Sequence, residues 1–204
     1  MTNATLSVRR AALGVRAFAV VLGALFVAAA AQVAVPLPGT PVPMTLQPLA
    51  VLLVGGLLGA RLGAASLILY LAMGAAGLPV FTPTVPLVGI ARLMGPTGGY
   101  LLAYPVAAFV VGYIPGLSPG VSRVADADDA DPRRQPGVGR IALAVLAGLA
   151  LIHLGGLAQL AILTGDISAA ARFGTAPFLL GDLAKLAIAV PVIAKLSPAV
   201  RARL

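Results

Sequence analysis

Apolar residues gather into six long stretches along this chain, and segments rich in proline, glycine or charge separate them. The stretches cover residues 13–34, 49–60, 62–77, 97–114, 141–163 and 178–196. A membrane-spanning helix needs roughly 17–25 such residues, so the first, fourth, fifth and sixth are long enough to cross a bilayer. The second and third, joined at Arg61, fall at or below that length. They are either two short spans or one re-entrant hairpin, and the sidedness of everything downstream is the same in both cases. The pattern predicts an all-α integral membrane protein with six transmembrane helices, helices 2 and 3 short. It forms a single domain over residues 1–204, with polar tails at 1–12 and 197–204.

Between the first two stretches, residues 36–48 hold five prolines, which rules out a helix and favours a stiff extended segment. Its apolar residues, mixed with Thr45 and Gln47, suit a lid over a cavity better than a solvated linker. A second irregular segment opens at Leu78-Pro79-Val80-Phe81 and runs through Arg92 to Gly95-Pro96-Thr97-Gly98-Gly99-Tyr100. Its glycines allow close backbone approach, but the Lys-Ser/Thr ending of a phosphate-binding loop is missing. Residues 115–140 carry Arg123, Asp126, Asp128, Asp129, Asp131, Arg133, Arg134 and Arg140, and read as a disordered charged loop. The glycine and terminal glutamate of a calcium-binding loop are absent there. Residues 164–176 read as a plain connecting loop.

Composition agrees with the pattern. Hydrophobic residues make up 60% of the chain and charged ones 10%, against about 25% in soluble domains. The net charge of +8 does not form a stripe on a polar domain, so it argues against nucleic acid. It is instead a topology signal. Starting inside, Arg9, Arg10, Arg16, Arg61, Arg123, Arg133, Arg134, Arg140, Lys195, Arg201 and Arg203 fall on one side, and Arg92, Arg172 and Lys185 on the other. That bias puts both termini in the cytoplasm. Arg9 and Arg10 before an apolar run resemble a secretion signal, but the run is long enough to be a retained first helix. With no cysteine, no glutamate and one histidine, the chain lacks the parts for most hydrolytic, metal or cofactor chemistry, and no catalytic or metal-binding residue is expected.

Candidate chemistry concentrates in Pro177-Phe178-Leu179-Leu180-Gly181-Asp182-Leu183-Ala184-Lys185. Asp182 and Lys185 are three apart, on one helix face, roughly 6 Å into the last helix from its outer end. Ionisable groups at membrane depth mark functional sites by default, while a self-neutralising helix lock is the plainer alternative. His153 on the fifth helix has no evident acidic partner and reads as a packing residue, which ranks an intramembrane hydrolase low. On the first helix, Ala24-x-x-x-Ala28 makes a small-residue face on which another helix can lie close. Internal packing would explain that face equally well.

Four stretches in this order resemble one family. They are Pro41-Val42-Pro43-Met44-Thr45-Leu46-Gln47, Gly77-Leu78-Pro79-Val80-Phe81, Gly95-Pro96-Thr97-Gly98-Gly99-Tyr100-Leu101 and the Pro177–Lys185 segment. Together they look like BioY, the biotin-specific S component of energy-coupling-factor (ECF) transporters, over about residues 13–196. The resemblance implies a six-helix protein of the bacterial inner membrane that captures biotin on its outer side. It further implies a transmembrane coupling subunit of the EcfT or BioN type and two cytoplasmic ATPases as partners, membrane lipid around it, and no enzymatic activity. Carried over by residue, it implies a biotin site at Asp182 and Lys185, with Arg92, Thr45, Gln47 and Tyr100 as further contacts. Ala24 and Ala28 would then meet the coupling subunit. An S component for another vitamin, or a membrane scaffold without transport, are the alternatives.

Overall fold

The computed structural model describes residues 3–113 and 137–204. Among these residues the chain is almost entirely helical: α1 (Asn3–Gln32), α2 (Gln47–Leu58), α3 (Ala60–Ala75), α4 (Ile90–Met94), α5 (Gly98–Gly112), α6 (Val138–Thr164), α7 (Ile167–Gly174) and α8 (Leu179–Arg201). A 3₁₀ turn, Ala176–Phe178, leads into α8. By length and composition, α1, α6 and the α7–α8 segment can each cross a membrane, while α2, α3 and α5 are apolar but shorter. The outward faces are as oily as the core: Leu180 and Ile162 are each 82% exposed. Lipid, not water, is the solvent such a surface fits.

Several boundaries differ from the hydropathy reading, for physical reasons. Helix α1 begins at Asn3, so residues 3–12, expected as a tail, are its first turns. Likewise α8 carries on to Arg201, through Pro191 and Pro198. Hydropathy marks the part of a helix that suits lipid, not where its hydrogen bonding stops. The break between α2 and α3 falls at Gly59, not Arg61, because the turn needs φ = +85°, a conformation that glycine adopts without penalty. The segment at 164–176, expected as a loop, contains α7. Asp166 caps that helix by accepting from the Ser168 amide at 2.7 Å. In the proline segment, Ala34 pairs with Thr45 and Val35 with Met44 in a short antiparallel ladder. Pro36, Pro38, Pro41 and Pro43, which lack an N–H, fall in the connection between those strands. Of the charged segment at 115–140, residues 115–136 lie outside the described residues, including Arg123, Arg133, Arg134 and the four aspartates. Arg140 sits in the first turn of α6.

Helix α5 lies centrally, packed on α2, α3 and α6, while α8 packs on α2 and α6. The α5–α6 crossing depends on Gly99 and Gly155. A Cβ on Gly99 would stand 2.1 Å from the Gly155 carbonyl oxygen, so only backbone fits between them. The small face of α1 is used the same way. Ala24 is fully buried and Ala28 8% exposed, within the core and against α3. These two residues, expected to meet a coupling subunit, are thus buried in the chain's own core. Small residues four apart let α1 approach α3 of the same chain, and the outward face of α1 instead carries Leu13, Phe18, Leu22, Leu25 and Phe26.

Candidate functional site

One cavity gathers the polar residues. It encloses about 610 Å³ of empty space, its open mouth included. The ends of α2, α5 and α8, the short α4 and the middle of α6 meet around it. Thr45, Gln47, Arg92, Tyr100, Asp182 and Lys185, the six residues singled out from the sequence, all stand on its wall. Val42, Pro43 and Phe81, from the two irregular segments, complete the wall with Ile152 and Phe178. The proline segment is held there by the Thr40 hydroxyl, which donates to the Phe173 carbonyl of α7 at 2.6 Å.

Asp182 and Lys185 face each other on consecutive turns of α8 and are 7% and 6% exposed. Lys185 Nζ donates to Asp182 Oδ1 at 2.8 Å. The other carboxylate oxygen, Oδ2, lies 2.5 Å from His153 Nε2 on α6. The reading of His153 as a packing residue with no acidic partner is therefore corrected. The two residues are 29 apart in sequence, and adjacency of α6 and α8 brings them together. No local spacing rule reaches that far. A carboxylate accepts only, so both neighbours donate to it.

Across the cavity, Gln47 opens α2 and is 3% exposed. Its amide Nε2 donates to the Tyr70 hydroxyl at 2.5 Å, and its Oε1 accepts from the Thr45 hydroxyl at 3.4 Å. Tyr100 donates its hydroxyl to the Gly174 carbonyl at 2.5 Å, tying α5 to α7. Its ring lies flat over Gly156 of α6, where any Cβ would come 2.1 Å from the ring. Tyr100 thus offers the cavity an aromatic surface while its hydroxyl holds α7.

Arg92 on α4 is 3% exposed and only partly satisfied. Its Nε donates to the Leu87 carbonyl at 2.9 Å and its Nη2 to the Thr82 carbonyl at 2.5 Å. The buried Nη1 has no protein partner, nor has the Thr97 hydroxyl beside the same cavity. Burial draws the Arg92 pKa below its ordinary value, with nearby Tyr70 acting in the opposite direction. A guanidinium keeps its proton through shifts of that kind. Thr82, Thr97 and Tyr104 were not singled out from the sequence. Hydroxyls in mixed apolar segments carry no mark that separates a cavity wall from ordinary packing. Among the described residues, no group of three or more His, Asp or Glu could hold a metal ion.

A bundle of apolar helices that keeps a buried cation, an ion pair and aromatic walls around one cavity is a membrane protein with a small-molecule pocket. The chain belongs to the BioY family, which it matches over residues 2–202. A Pyrococcus horikoshii protein described as a probable biotin transporter BioY is 38% identical to it over 178 residues, 86% of this chain and 93% of that protein. The Thermotoga maritima biotin transporter BioY is 32% identical over 160 residues, 78% of this chain and 83% of that protein. The fold matches a crystal structure of the S-component for biotin from an ECF-type ABC transporter. The TM-score is 0.71, at 24% identity, covering 97% of this chain and 95% of that one.

Proposed function

We propose that this chain is the biotin-binding S subunit of an ECF-type vitamin transporter, and that the cavity described above is its biotin site. The observation that carries the reading is the cavity's charge. Asp182 and Lys185 neutralise each other across 2.8 Å, and Arg92 remains with its Nη1 donors unmatched. With His153 neutral, the site holds one positive charge in excess, which fits a ligand with one carboxylate.

Biotin has that charge, and its other groups fit too. Its ureido ring carries two N–H donors and a carbonyl acceptor. Asp182 keeps one accepting position on each oxygen after Lys185 and His153 are counted, enough for ureido N–H groups. Lys185 has two N–H groups left for the ureido carbonyl. The valerate carboxylate then falls to Arg92 Nη1 and Thr97. Tyr100, Phe178 and Pro43 supply apolar surface for the thioether ring and chain, with Gln47 and Thr45 at the edge. Thiamin, a cation, would meet the excess charge unfavourably, and riboflavin has no carboxylate to pair with Arg92.

In this reading α1, α2, α3, α5, α6 and α8 are six spans with both termini cytoplasmic, in a bacterial cell membrane. Support comes from Arg201 at the end of α8, which donates to the Gly56 carbonyl at 2.6 Å and so puts the ends of α2 and α8 on one side. Arg16, near the start of the apolar span Ala12–Gln32 of α1, donates to the Leu204 carbonyl at 2.8 Å and joins that side. The cavity opens on the other. Biotin is captured outside and delivered inward together with a membrane coupling subunit and ATPases, the chain itself carrying out no chemical step.

Titrating the purified protein with biotin, desthiobiotin, the ring-opened diamine, thiamin and riboflavin tests the reading. Biotin should bind tightly and desthiobiotin measurably, since both keep the ureido ring. The diamine and the two other vitamins should bind far less. Equal affinity for desthiobiotin and the diamine would sink the assignment.

A further inference from the structure

The His153–Asp182 contact lies on a boundary. On one side is the polar cavity. On the other, an apolar cleft between α6 and α8 opens outward, lined by Leu154, Leu157, Leu183 and Leu186, and it too ends on His153 and Asp182. Asp182 is therefore a short, rotatable side chain with a ligand site before it and an oily cleft behind. Lys185 holds only Oδ1, and it does so from the same helix. The second oxygen is held from a different helix, by His153 at 2.5 Å. The imidazole is itself clamped, edge-on to the Tyr100 ring at 6.3 Å between centroids and tilted against Phe178 at 6.4 Å.

The protonation pattern follows from the partners. His153 Nδ1 is buried without a hydrogen-bond partner. A neutral ring with its proton there would leave an unpaired buried donor and turn a bare Nε2 lone pair toward a carboxylate, and an imidazolium would keep the unpaired donor. The neutral form with its proton on Nε2 avoids both faults.

We infer that His153 is the positioning residue of the site: it donates from Nε2 to Asp182 and fixes the carboxylate so that its free accepting positions serve the ligand. This rests on the biotin reading given above. His153 does not itself need to touch the ligand. Without it, one carboxylate oxygen loses its anchor and Asp182 can turn toward the cleft, so a ligand that needs two aligned acceptor positions loses affinity. A side chain that restores a donor at the same reach restores the alignment. The amide of glutamine can do so.

Because His153 is the one histidine of the chain, it can be read spectroscopically without assignment. The experiment combines biotin dissociation constants of wild type, His153→Leu and His153→Gln with ¹⁵N-histidine spectra of the ligand-free wild-type protein. His153→Leu should weaken biotin at least about tenfold, and His153→Gln should stay within about threefold of wild type. The imidazole should show the neutral, Nε2-protonated form. Wild-type affinity in His153→Leu overturns the inference, as does an Nδ1-protonated ring, or a glutamine variant as impaired as leucine. If the leucine variant does not fold, the glutamine variant and the spectra still decide. Wild-type protein that fails to bind biotin overturns the functional reading and this inference together, whereas failure of the variant pattern alone overturns only the inference.

Discussion

Removing the charge of Asp182 should separate two roles that the site combines. The carboxylate is 7% exposed and holds Lys185 Nζ at 2.8 Å and His153 Nε2 at 2.5 Å. Asp182→Asn keeps the shape but leaves the Lys185 ammonium uncompensated in a nearly dry site, a change that typically costs about 3–5 kcal/mol. At roughly 2–4 °C per kcal/mol for a chain of this size, the melting temperature in detergent should fall by about 6–20 °C. Replacing both partners, as in Asp182→Leu with Lys185→Met, removes the stranded charge, and such apolar swaps are often neutral in stability. The double variant should therefore melt within a few degrees of wild type. Biotin binding should fail in both, by at least about tenfold, since the ureido acceptor is gone in each. Melting temperature and biotin affinity would be measured on the same preparations. If the double variant recovers stability and also binds biotin like wild type, the pair is a helix lock and the ligand contacts lie elsewhere. If it melts as low as Asp182→Asn, the two charges are not coupled as the geometry implies.

Two further outcomes follow from buried positions. Arg92→Met removes the unmatched Nη1 donors and should weaken biotin by about 1.5–3 kcal/mol, the usual value of a hydrogen bond to a charged group. More tellingly, the preference of wild type for biotin over biotin amide should collapse in that variant, and a preserved preference would place the carboxylate elsewhere. Ala24→Leu adds volume at a fully buried contact of α1, so it should lower stability by about 1–3 kcal/mol, whereas Leu22→Ala on the exposed face should leave the melting temperature in detergent unchanged. The reverse pattern would return Ala24 to an outward, partner-facing role.

What the sequence made legible was local. Asp182 and Lys185 could be placed together because i,i+3 spacing on a helix is a short-range rule, and the structure joins them by a direct bond. Long apolar runs announced α1, α6 and α8 for the same reason, since a span is written in consecutive residues. His153 was missed as a partner of Asp182 because that contact is made by α6 lying against α8, which no spacing encodes. The Ala24-x-x-x-Ala28 motif marks a face on which a helix can lie close, but a local spacing does not say which helix; in this chain α1 packs on α3 and α2. Helix α7 escaped notice because it is only eight residues long, about two turns, although Asp166 before Ser168 was a usable capping signal. The Ala34–Thr45 pairing hid behind prolines that forbid a helix without saying where the segment closes on itself.

The position of biotin in a structure determined with the vitamin bound is the decisive measurement. The ureido ring should lie at α8, its N–H groups about 2.7–3.2 Å from Asp182 with the ureido carbonyl near Lys185, and the carboxylate on Arg92 Nη1 across the cavity. Biotin lying the other way round, carboxylate on Lys185 and ureido ring at Arg92, or lying outside this cavity altogether, would contradict this placement.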